Sequence, residues 1–432
     1  MIAYNKGSIT LRFLGGCKEV GRVAILIERE DGHKCLLDYG VSFTDDKPLF
    51  PEHIRPKDLG FIALTHAHLD HSGGLPLFYS GQVKPTIVST SMSAKLSSLL
   101  WFDFIRISRH NLPFEEVEAK EAENNVFKVR YNEKIQKGPF TIKLINAGHI
   151  PGSASILVEV NDKKILYTGD FNTIETQLLR PAELNSINFR ELDAVVMETT
   201  YANVDHPDRR ELEREFVESA RDVLDRGGIV LVPAFAVGRS QEIICILKRY
   251  NFEYPIILDG MARIASKLIL EEPYYLKNYK FIKDALTSVK WVTRREDRRK
   301  ALKSPSLIVT PAGMLKGGAA LYYLKRIYND PKNAIFLVSY QIPGTPGRQL
   351  LDSGTISLNG RPEKVQAQIK WFDFSAHCGR KELLEFVSKL EPETKLFLIH
   401  GEPDAITEFI SQIKERYEID VLNPDVGSMY SI

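Results

Sequence analysis

The stretch THAHLDHSGG at residues 65–74 restricts the fold of this chain more than any other feature of its sequence. It follows the apolar run FIAL, which is typical of a buried β-strand, and it places His66, His68, Asp70 and His71 within six residues. Imidazole and carboxylate groups are the ligands of catalytic zinc sites, in which one position stays open for water. Side chains at 66 and 68 of an extended backbone point the same way. The stretch therefore predicts a metal site at the end of a buried strand.

Five more apolar runs end in a side chain that can bind a metal or a proton. The runs HKCLLD, FTIKLINAGH, KKILYTGD, LDAVVME and KLFLIH deliver Asp38, His149, Asp170, Glu198 and His400. Such endings are typical of buried strands that present polar groups at their carboxyl ends. One ion needs four ligands and two ions need more, so we expect His149, Asp170 and His400 to complete the site. Asp170 is suited to bridge two ions because its carboxylate has two oxygens.

The order of apolar runs predicts an α/β fold with one inserted domain. At about 150 residues per domain, 432 residues exceed a single core. After Tyr201 the chain alternates between strand and helix patterns, as in GIVLVPAFAVGRSQEIICILKRY, and this is typical of a parallel sheet. The earlier pattern of strand, His and helix then returns. We therefore predict that residues 1–202 and 376–432 form one domain and that residues 203–375 are inserted in it.

Composition excludes several classes of protein. Lys and Arg number 57 against 56 Asp and Glu, a net charge of +1, so a nucleic acid would have to bind in a local groove. Four scattered cysteines indicate a reducing compartment rather than a disulfide scaffold. The first residues lack the apolar core of a signal peptide, and no apolar run approaches the roughly 18 residues of a membrane span. We therefore expect a cytoplasmic protein.

The motifs together resemble those of a known family. LTHAHLDHSGG, with Asp38, His149 and Asp170, is similar to the metallo-β-lactamase superfamily of two-zinc hydrolases. METTY at Glu198, FSAHCG at His377 and LIHGE at position 400 resemble three further motifs of the β-CASP nucleases, which include the nuclease subunit of cleavage and polyadenylation specificity factor and its prokaryotic relatives. LVPAFAVGRSQEI and VTPAGMLKGG are similar to the inserted domain of that family. The resemblance covers residues 8–410.

The resemblance implies an αββα sandwich with an inserted α/β β-CASP domain, two Zn²⁺ ions per chain with Mn²⁺ as an alternative, and a set of roles. Asp38 would orient a metal ligand or the attacking water, and His377, held by Glu198, would protonate the leaving 3′-oxygen. The ligands of one ion would be His66, His68, His149 and Asp170, and those of the other Asp70, His71, Asp170 and His400.

The activity that the resemblance implies is hydrolysis of single-stranded RNA, with internal cleavage favoured over 5′-to-3′ exonuclease activity of the RNase J type. Two further classes stay open, a small-molecule ester or thioester hydrolase and a non-catalytic RNA-binding subunit. The inserted domain and the pair of His377 with Glu198 speak against the first of these, and the full set of ligands speaks against the second. A homodimer and membership of an RNA-processing or decay complex are also left open.

Glycine-rich loops of the inserted domain are the predicted substrate contacts, because such loops expose backbone N–H groups to phosphate oxygens. The candidate residues are Arg239, Gly313, Met314, Thr345 and Arg348. The run TRREDRRK at residues 293–300 is interpreted either as a row of RNA contacts or as a solvated helix face. Relative to the family, we expect no KH module before the core and no further domain after it, so that the core or its partners capture the RNA.

Overall fold

The computed structural model describes residues 8–44, 47–108, 111–342, 344–358 and 360–432. These residues form two compact units. Unit 1 comprises the chain up to Glu175, Pro181–Asp205 and Ala376–Ile432, and unit 2 comprises Thr176–Arg180 and His206–Ser375. The domain boundaries predicted from the sequence, after residues 202 and 375, stay a prediction.

Strands and helices alternate along the described chain, with the following bounds. The strands are β1 (Ile9–Gly15), β2 (Ala24–Arg29), β3 (Lys34–Leu37), β4 (Ser42–Thr44), β5 (Lys47–Leu49), β6 (Phe61–Ala63), β7 (Thr86–Ser89), β8 (Val126–Lys128), β9 (Lys134–Lys137), β10 (Phe140–Asn146), β11 (Ala154–Val160), β12 (Lys163–Tyr167), β13 (Ala194–Glu198), β14 (Ile229–Pro233), β15 (Ile256–Leu258), β16 (Lys290–Trp291), β17 (Ser306–Thr310), β18 (Ala334–Leu337), β19 (Thr355–Leu358), β20 (Arg361–Lys364), β21 (Gln368–Trp371), β22 (Lys395–Ile399), β23 (Asp420–Leu422) and β24 (Met429–Ser431). The helices are α1 (Leu69–Ser72), α2 (Ser91–Ser108), α3 (Glu116–Asn124), α4 (Arg209–Asp225), α5 (Arg239–Arg249), α6 (Ala262–Leu270), α7 (Tyr279–Ser288), α8 (Arg295–Lys300), α9 (Gly318–Ile327), α10 (Pro346–Ser353), α11 (Arg380–Val387) and α12 (Pro403–Arg416). Within the described ranges, no helix has both the length and the apolar character of a membrane span.

Unit 1 contains two seven-stranded sheets with a shared core between them. The first has the order β24-β1-β2-β3-β6-β7-β8 and the second the order β23-β22-β13-β12-β11-β10-β9. Alternation along β2 shows how a strand serves two layers: Ile25 and Ile27 pack in the core between the sheets, and Leu26 packs on the opposite face. Because both faces are covered, these strands are apolar at almost every position.

Helices cover the outer face of each sheet. Trp101 of α2 and Ala119 of α3 pack with Leu26 against the first sheet. Phe386 of α11 and Phe409 of α12 pack against the outer side of the second sheet. The layers are therefore helix, sheet, sheet and helix, and this confirms the predicted αββα sandwich.

Unit 2 is built on a six-stranded sheet of order β16-β15-β17-β14-β18-β21, in which every pair of neighbours is parallel. Strand β14 pairs with β17 in the register Leu231↔Ile308 and with β18 in the register Leu231↔Ile335. Helices connect successive strands, as parallel pairing requires. The second α/β unit that the sequence pattern predicts is thus present.

The end of the chain completes the core of unit 1. Strand β24 pairs antiparallel with β1 in the register Leu11↔Tyr430. The Tyr430 ring lies 5.9 Å from that of Phe13 in the first sheet and 5.1 Å from that of Phe397 in the second, measured between centroids. Rings at these separations attract one another beyond their burial. Tyr430 therefore closes one end of the core between the sheets.

This contact generates a test of stability. Replacing the ring in Tyr430→Ala should lower the free energy of unfolding of unit 1 by about 2 kcal/mol, since two aromatic contacts and buried apolar area are lost. Urea unfolding followed by tryptophan fluorescence measures the change. Tyr430→Phe keeps the ring and should unfold like the wild type, and an unchanged midpoint for Tyr430→Ala would contradict the assignment.

Candidate metal centre

The carboxyl ends of parallel strands bring the predicted site residues together. Strand β3 is parallel to β6, and β12, β13 and β22 are mutually parallel neighbours. Asp38 follows β3, Asp170 lies shortly after β12, Glu198 ends β13 and His400 follows β22. Since the carboxyl ends of parallel strands meet at one edge of a sheet, side chains from distant parts of the sequence converge.

Four side chains form a compact first ligand set, His66, His68, His149 and Asp170. Nδ1 of His68 lies 3.2 Å from Nε2 of His66 and 3.1 Å from Nε2 of His149. Asp170 Oδ2 lies 3.5 Å from Nε2 of His66 and 3.7 Å from Nε2 of His149. Tetrahedral ligands at zinc–nitrogen distances of about 2.0–2.1 Å are about 3.3–3.4 Å apart, so the spacing fits one zinc ion.

A second set shares Asp170 with the first and adds Asp70, His71 and His400. Asp170 Oδ1 lies 3.2 Å from Nε2 of His71. His400 lies between two carboxylates, with Nε2 3.3 Å from Asp70 Oδ2 and Nδ1 3.3 Å from Asp170 Oδ1. The two oxygens of Asp170 thus face different sets, the arrangement that a bridging carboxylate needs.

Hydrogen bonds outside the sets orient the imidazoles. Nδ1 of His149 donates to the Ala376 carbonyl at 2.9 Å, which leaves the lone pair on Nε2. Nδ1 of His66 lies 3.1 Å from the Thr65 hydroxyl, which itself donates to Asp38 at 2.7 Å and therefore accepts from the ring. A ligand histidine held through its second nitrogen in this way has its tautomer and ring angle fixed before a metal binds.

Among the groups that orient the imidazoles, Asp38 accepts four hydrogen bonds and is completely buried. Its Oδ2 accepts from Nδ1 of His71 at 2.7 Å and from the Tyr167 hydroxyl at 2.9 Å, and its Oδ1 accepts from the Thr65 backbone N–H at 2.8 Å. The carboxylate therefore directs Nε2 of His71 toward Asp170. Of the two roles that the sequence suggested for Asp38, the geometry favours the orientation of a ligand.

The charged groups at the site favour a bound cation. Burial lowers the pKa of His66 and His149 well below the ordinary value and that of His68 to about 4, so these rings are neutral and can act as ligands. Burial also lowers the pKa of His71, but Asp170 and Asp38 outweigh it and hold that pKa well above the ordinary value. Buried carboxylates thus pull positive charge toward them, and a divalent ion supplies it.

Buried polar atoms give an independent test of this fit. Nε2 of His71, Nε2 of His400 and Oδ1 of Asp170 have no hydrogen-bond partner of acceptable geometry anywhere in the described ranges. Leaving buried donors and acceptors unsatisfied costs about 1–3 kcal/mol each, so such atoms mark a ligand site when they converge. The residues present therefore fit bound divalent metal.

Glu198 and His377 form a separate pair beside the ligand sets. Nδ1 of His377 lies 2.8 Å from Oε2 of Glu198, and the ring centroid of His377 lies 4.6 Å from that of His149. Burial alone would lower the pKa of His377, but the Glu198 and Asp170 carboxylates raise it to about 9. The two carboxylates therefore favour the protonated form of His377.

Thr200 joins this pair to the candidate ligand His400, and sequence reasoning missed it. Its hydroxyl donates to Glu198 Oε2 at 2.6 Å and accepts from Nδ1 of His400 at 3.1 Å. Thr65 and Tyr167 play similar parts around Asp38. Hydroxyls carry no sequence signal of such a role, although each of the three lies within two residues of a predicted site residue or at the end of its strand.

Backbone strain also concentrates at the site. Asp38 has φ +55° and His400 has φ +53°, left-handed values that non-glycine residues rarely adopt. Both follow directly on a strand that delivers them. Such strain persists where surrounding contacts over-determine the conformation, as they do at ligand sites.

The predicted substrate-contact residues all belong to unit 2, namely Arg239, Gly313, Met314, Thr345 and Arg348. The backbone N–H of Gly347 donates to the Met314 carbonyl at 3.0 Å and joins the loop after β17 to the start of α10. The Thr345 hydroxyl caps α10, where it accepts from the Arg348 backbone N–H at 3.3 Å. The Arg348 side chain pairs with Asp352 at 2.9 Å. These residues stay predicted substrate contacts.

Three family models match the chain in succession. Residues 18–222 match the metallo-beta-lactamase superfamily, and residues 240–350 match the Beta-Casp domain. Residues 362–424 match the Zn-dependent metallo-hydrolase RNA specificity domain. The candidate ligands before residue 222 thus lie in the first match and His400 in the third.

Curated relatives are similar over nearly the whole chain. RNase aCSPSF2 of Saccharolobus solfataricus is 38% identical over 98% of this chain and 85% of its own length. Probable RNase MJ4 of Methanocaldococcus jannaschii is 39% identical over 97% of this chain and 99% of its own. Transcription termination factor FttA of Pyrococcus horikoshii is 34% identical over 98% of this chain and 71% of its own.

A solved structure resembles the fold. The crystal structure of a protein of unknown function from Enterococcus faecalis V583 has a TM-score of 0.62 and 13% sequence identity, and the match covers 98% of this chain and 100% of that one. At this identity the likeness concerns the fold alone.

The hydrogen bonds of Asp38 generate a prediction about metal binding. Both oxygens of Asp38 accept hydrogen bonds, so in Asp38→Asn the amide N–H₂ would face a group that is itself a donor. His71 then loses its orientation, and metal affinity should fall about 10–100-fold. Competition with a chromophoric chelator measures the affinity. Asp58→Asn, a change at a surface carboxylate that pairs with Arg55, is the matched control. Equal affinity of Asp38→Asn and the control would show that Asp38 does not orient a ligand.

Proposed function

The chain belongs to the β-CASP family of metallo-β-lactamase-fold hydrolytic ribonucleases, and on this basis we propose that it cleaves single-stranded RNA at internal phosphodiesters with two zinc ions bound per chain. The observation that carries the proposal is the pair of ligand sets that share Asp170. The relatives named as RNases support neither of the two rival classes, a small-molecule esterase and a non-catalytic subunit.

The ligand roles follow the two sets. His66, His68 and His149 with Asp170 supply three nitrogens and one oxygen, the donor set that suits zinc. The second set contains two carboxylates, Asp70 and Asp170, and the more oxygen-rich donors also suit Mn²⁺. Bound divalent ions would lower the pKa of a water and neutralise charge on the scissile phosphate. Asp38 holds His71 in the orientation that this binding needs.

His377 is the proposed general acid. A departing 3′-oxygen needs a proton, and a histidine whose pKa is raised to about 9 holds one at neutral pH. Glu198 keeps Nδ1 of the ring occupied, so the proton is delivered from Nε2. Glu198 is in turn fixed by the Phe171 backbone N–H at 2.8 Å and by the Thr200 hydroxyl.

Internal cleavage is the favoured mode because FSAHCG around His377 resembles the polyadenylation-factor type of motif more than the RNase J type. A specific finding supports the second candidate, a 5′-to-3′ exonuclease. A protein named RNase J-like from Methanocaldococcus jannaschii is 31% identical over 98% of this chain and 100% of its own length. A substrate without ends distinguishes the two.

The role of His377 predicts a leaving-group effect. His377→Ala should keep its bound metal but cleave RNA about 10²–10⁴-fold more slowly, since the ribose oxygen would leave without its proton. A nucleotide p-nitrophenyl ester, whose leaving group needs no proton, should lose far less. Single-turnover rates on both substrates and metal analysis check this. His33→Ala at an exposed histidine is the control, and equal losses on both substrates would indicate a structural role.

The proposed mode predicts that a covalently closed circular single-stranded RNA is linearised. Circles offer no end to hold, so only an enzyme that accepts an internal phosphodiester cuts them. Gel analysis with zinc and with excess chelator measures cleavage and its metal dependence. Survival of the circle while 5′-monophosphorylated linear RNA is degraded to mononucleotides would refute internal cleavage and favour the exonuclease.

A further inference from the structure

The two units carry opposite net charges. Unit 2 contains 29 Lys and Arg residues against 19 Asp and Glu, whereas unit 1 contains 28 against 37. The formal charge of +1 for the whole chain therefore conceals an acidic unit and a basic one. Because surface potentials depend on local charge, the basic unit can attract a polyanion that the total charge does not predict.

Most of the excess positive charge of unit 2 lies in one segment. Residues 290–328 contain ten Lys and Arg residues and two acidic residues. They form β16, α8, β17 and α9. The segment includes TRREDRRK, which the sequence left open between an RNA contact and a solvated helix.

Helices α8 and α9 pack on the same face of the unit 2 sheet. Ala301 at the end of α8 and Ala320 and Leu324 of α9 belong to one buried cluster. Leu231 and Ile308 of the sheet complete that cluster. The outer sides of the two helices therefore form a continuous part of the surface, which we call the α8/α9 face.

Tyr322 organises the cations of this face. The guanidinium of Arg326 lies 3.7 Å from the centre of the Tyr322 ring, and that of Arg298 lies 5.6 Å from it. Arg298 is also bound by the buried carboxylate of Asp259, with Nε to Oδ2 at 2.6 Å, and Tyr323 donates to the same carboxylate at 3.0 Å. Contacts of this kind fix guanidinium groups that would otherwise move freely.

The acidic groups near the face are mostly engaged elsewhere. Asp259 is buried and neutralises Arg298. Asp297 accepts from the backbone N–H groups of Thr293 and Arg294 at the start of α8. The exposed cations of the two helices are Arg295, Arg299, Lys300, Lys325 and Arg326, and their exposed carboxylate is Glu296, so the face is strongly positive.

We propose that the α8/α9 face is an RNA-binding surface that contacts the phosphate backbone of single-stranded RNA, additional to the metal centre. The proposal deepens the proposed ribonuclease function and rests on it. Guanidinium groups bind phosphate oxygens in pairs, and Arg supplies three of the five exposed cations of the two helices. Phosphate contacts position RNA without reading its bases, so the surface holds RNA of any sequence.

The test compares two triple variants of the full chain. Arg295→Gln, Arg299→Gln and Arg326→Gln together neutralise the α8/α9 face. Arg210→Gln, Arg214→Gln and Arg249→Gln together remove the same charge from exposed positions on α4 and α5. Fluorescence anisotropy with labelled oligo(U) of about 30 nucleotides, longer than a single site of about 4–16 nucleotides, measures binding in excess chelator so that the RNA stays intact.

We expect the face variant to bind oligo(U) about 10-fold or more weakly at 0.1 M salt, and the control variant to bind nearly as the wild type does. The slope of log K against log salt should fall in magnitude by about 2, because each single-strand phosphate contact contributes about 0.7. Replacing the same three arginines by lysine keeps the charge and should retain most of the slope. An unchanged slope in the face variant, or an equal loss in the control, would overturn the proposal.

Two outcomes separate this proposal from related ones. If polyglutamate displaces oligo(U) from the wild type as effectively as unlabelled poly(U) of equal charge, the face is a surface for acidic polypeptides and the proposal is wrong. If the wild type binds RNA through this face but cleaves none with metal added, the proposed function fails and the binding surface stands. If the wild type cleaves RNA but the face variant binds oligo(U) as the wild type does, the proposed function stands and the proposed binding surface is wrong.

Discussion

The contact of Asp170 with imidazoles on both of its sides is the interaction on which the site depends. Its two oxygens lie 3.2 Å from His71 and 3.5 Å from His66, and the side chain is buried. A carboxylate in such a place is unfavourable unless positive charge reaches it. The strand order brings five histidines around it, and a divalent ion in each set would satisfy the remaining charge.

Around the two ligand sets lie further polar side chains that orient the candidate ligands through hydrogen bonds. Asp38, Thr65 and Tyr167 fix one side, and Thr200 and Glu198 fix the other. Thr200 is placed between His400 and Glu198, so it joins a candidate metal ligand to the residue that orients His377. These contacts hold Asp38 and His400 in place, and both residues have left-handed backbone angles of the kind that surrounding contacts must maintain.

The α/β fold and its inserted unit could be predicted because apolar strands with polar endings are a local pattern, and the sandwich followed from the family that THAHLDHSGG and the later motifs resemble. The hydroxyl groups of Thr65, Tyr167 and Thr200 were missed because their partners are distant in sequence and common residue types. The charge of unit 2 was missed for another reason. A total of +1 averages over two units, and only the division of the chain reveals the basic one. The ligand roles, the domain boundaries and the oligomeric state stay predictions.

The spread of the site along the chain has a consequence for biosynthesis. His66 is translated early, whereas His377 and His400 follow only after the residues of unit 2, and β22 must pair with β13 before His400 reaches Asp170. Asp170 completes the first set early, but a nascent chain has neither the complete second set nor His377 until it nears its end. An enzyme whose cleavage of RNA depends on both sets and on His377 is therefore inert while it is still attached to its messenger, because the last of these residues arrives near the end of synthesis.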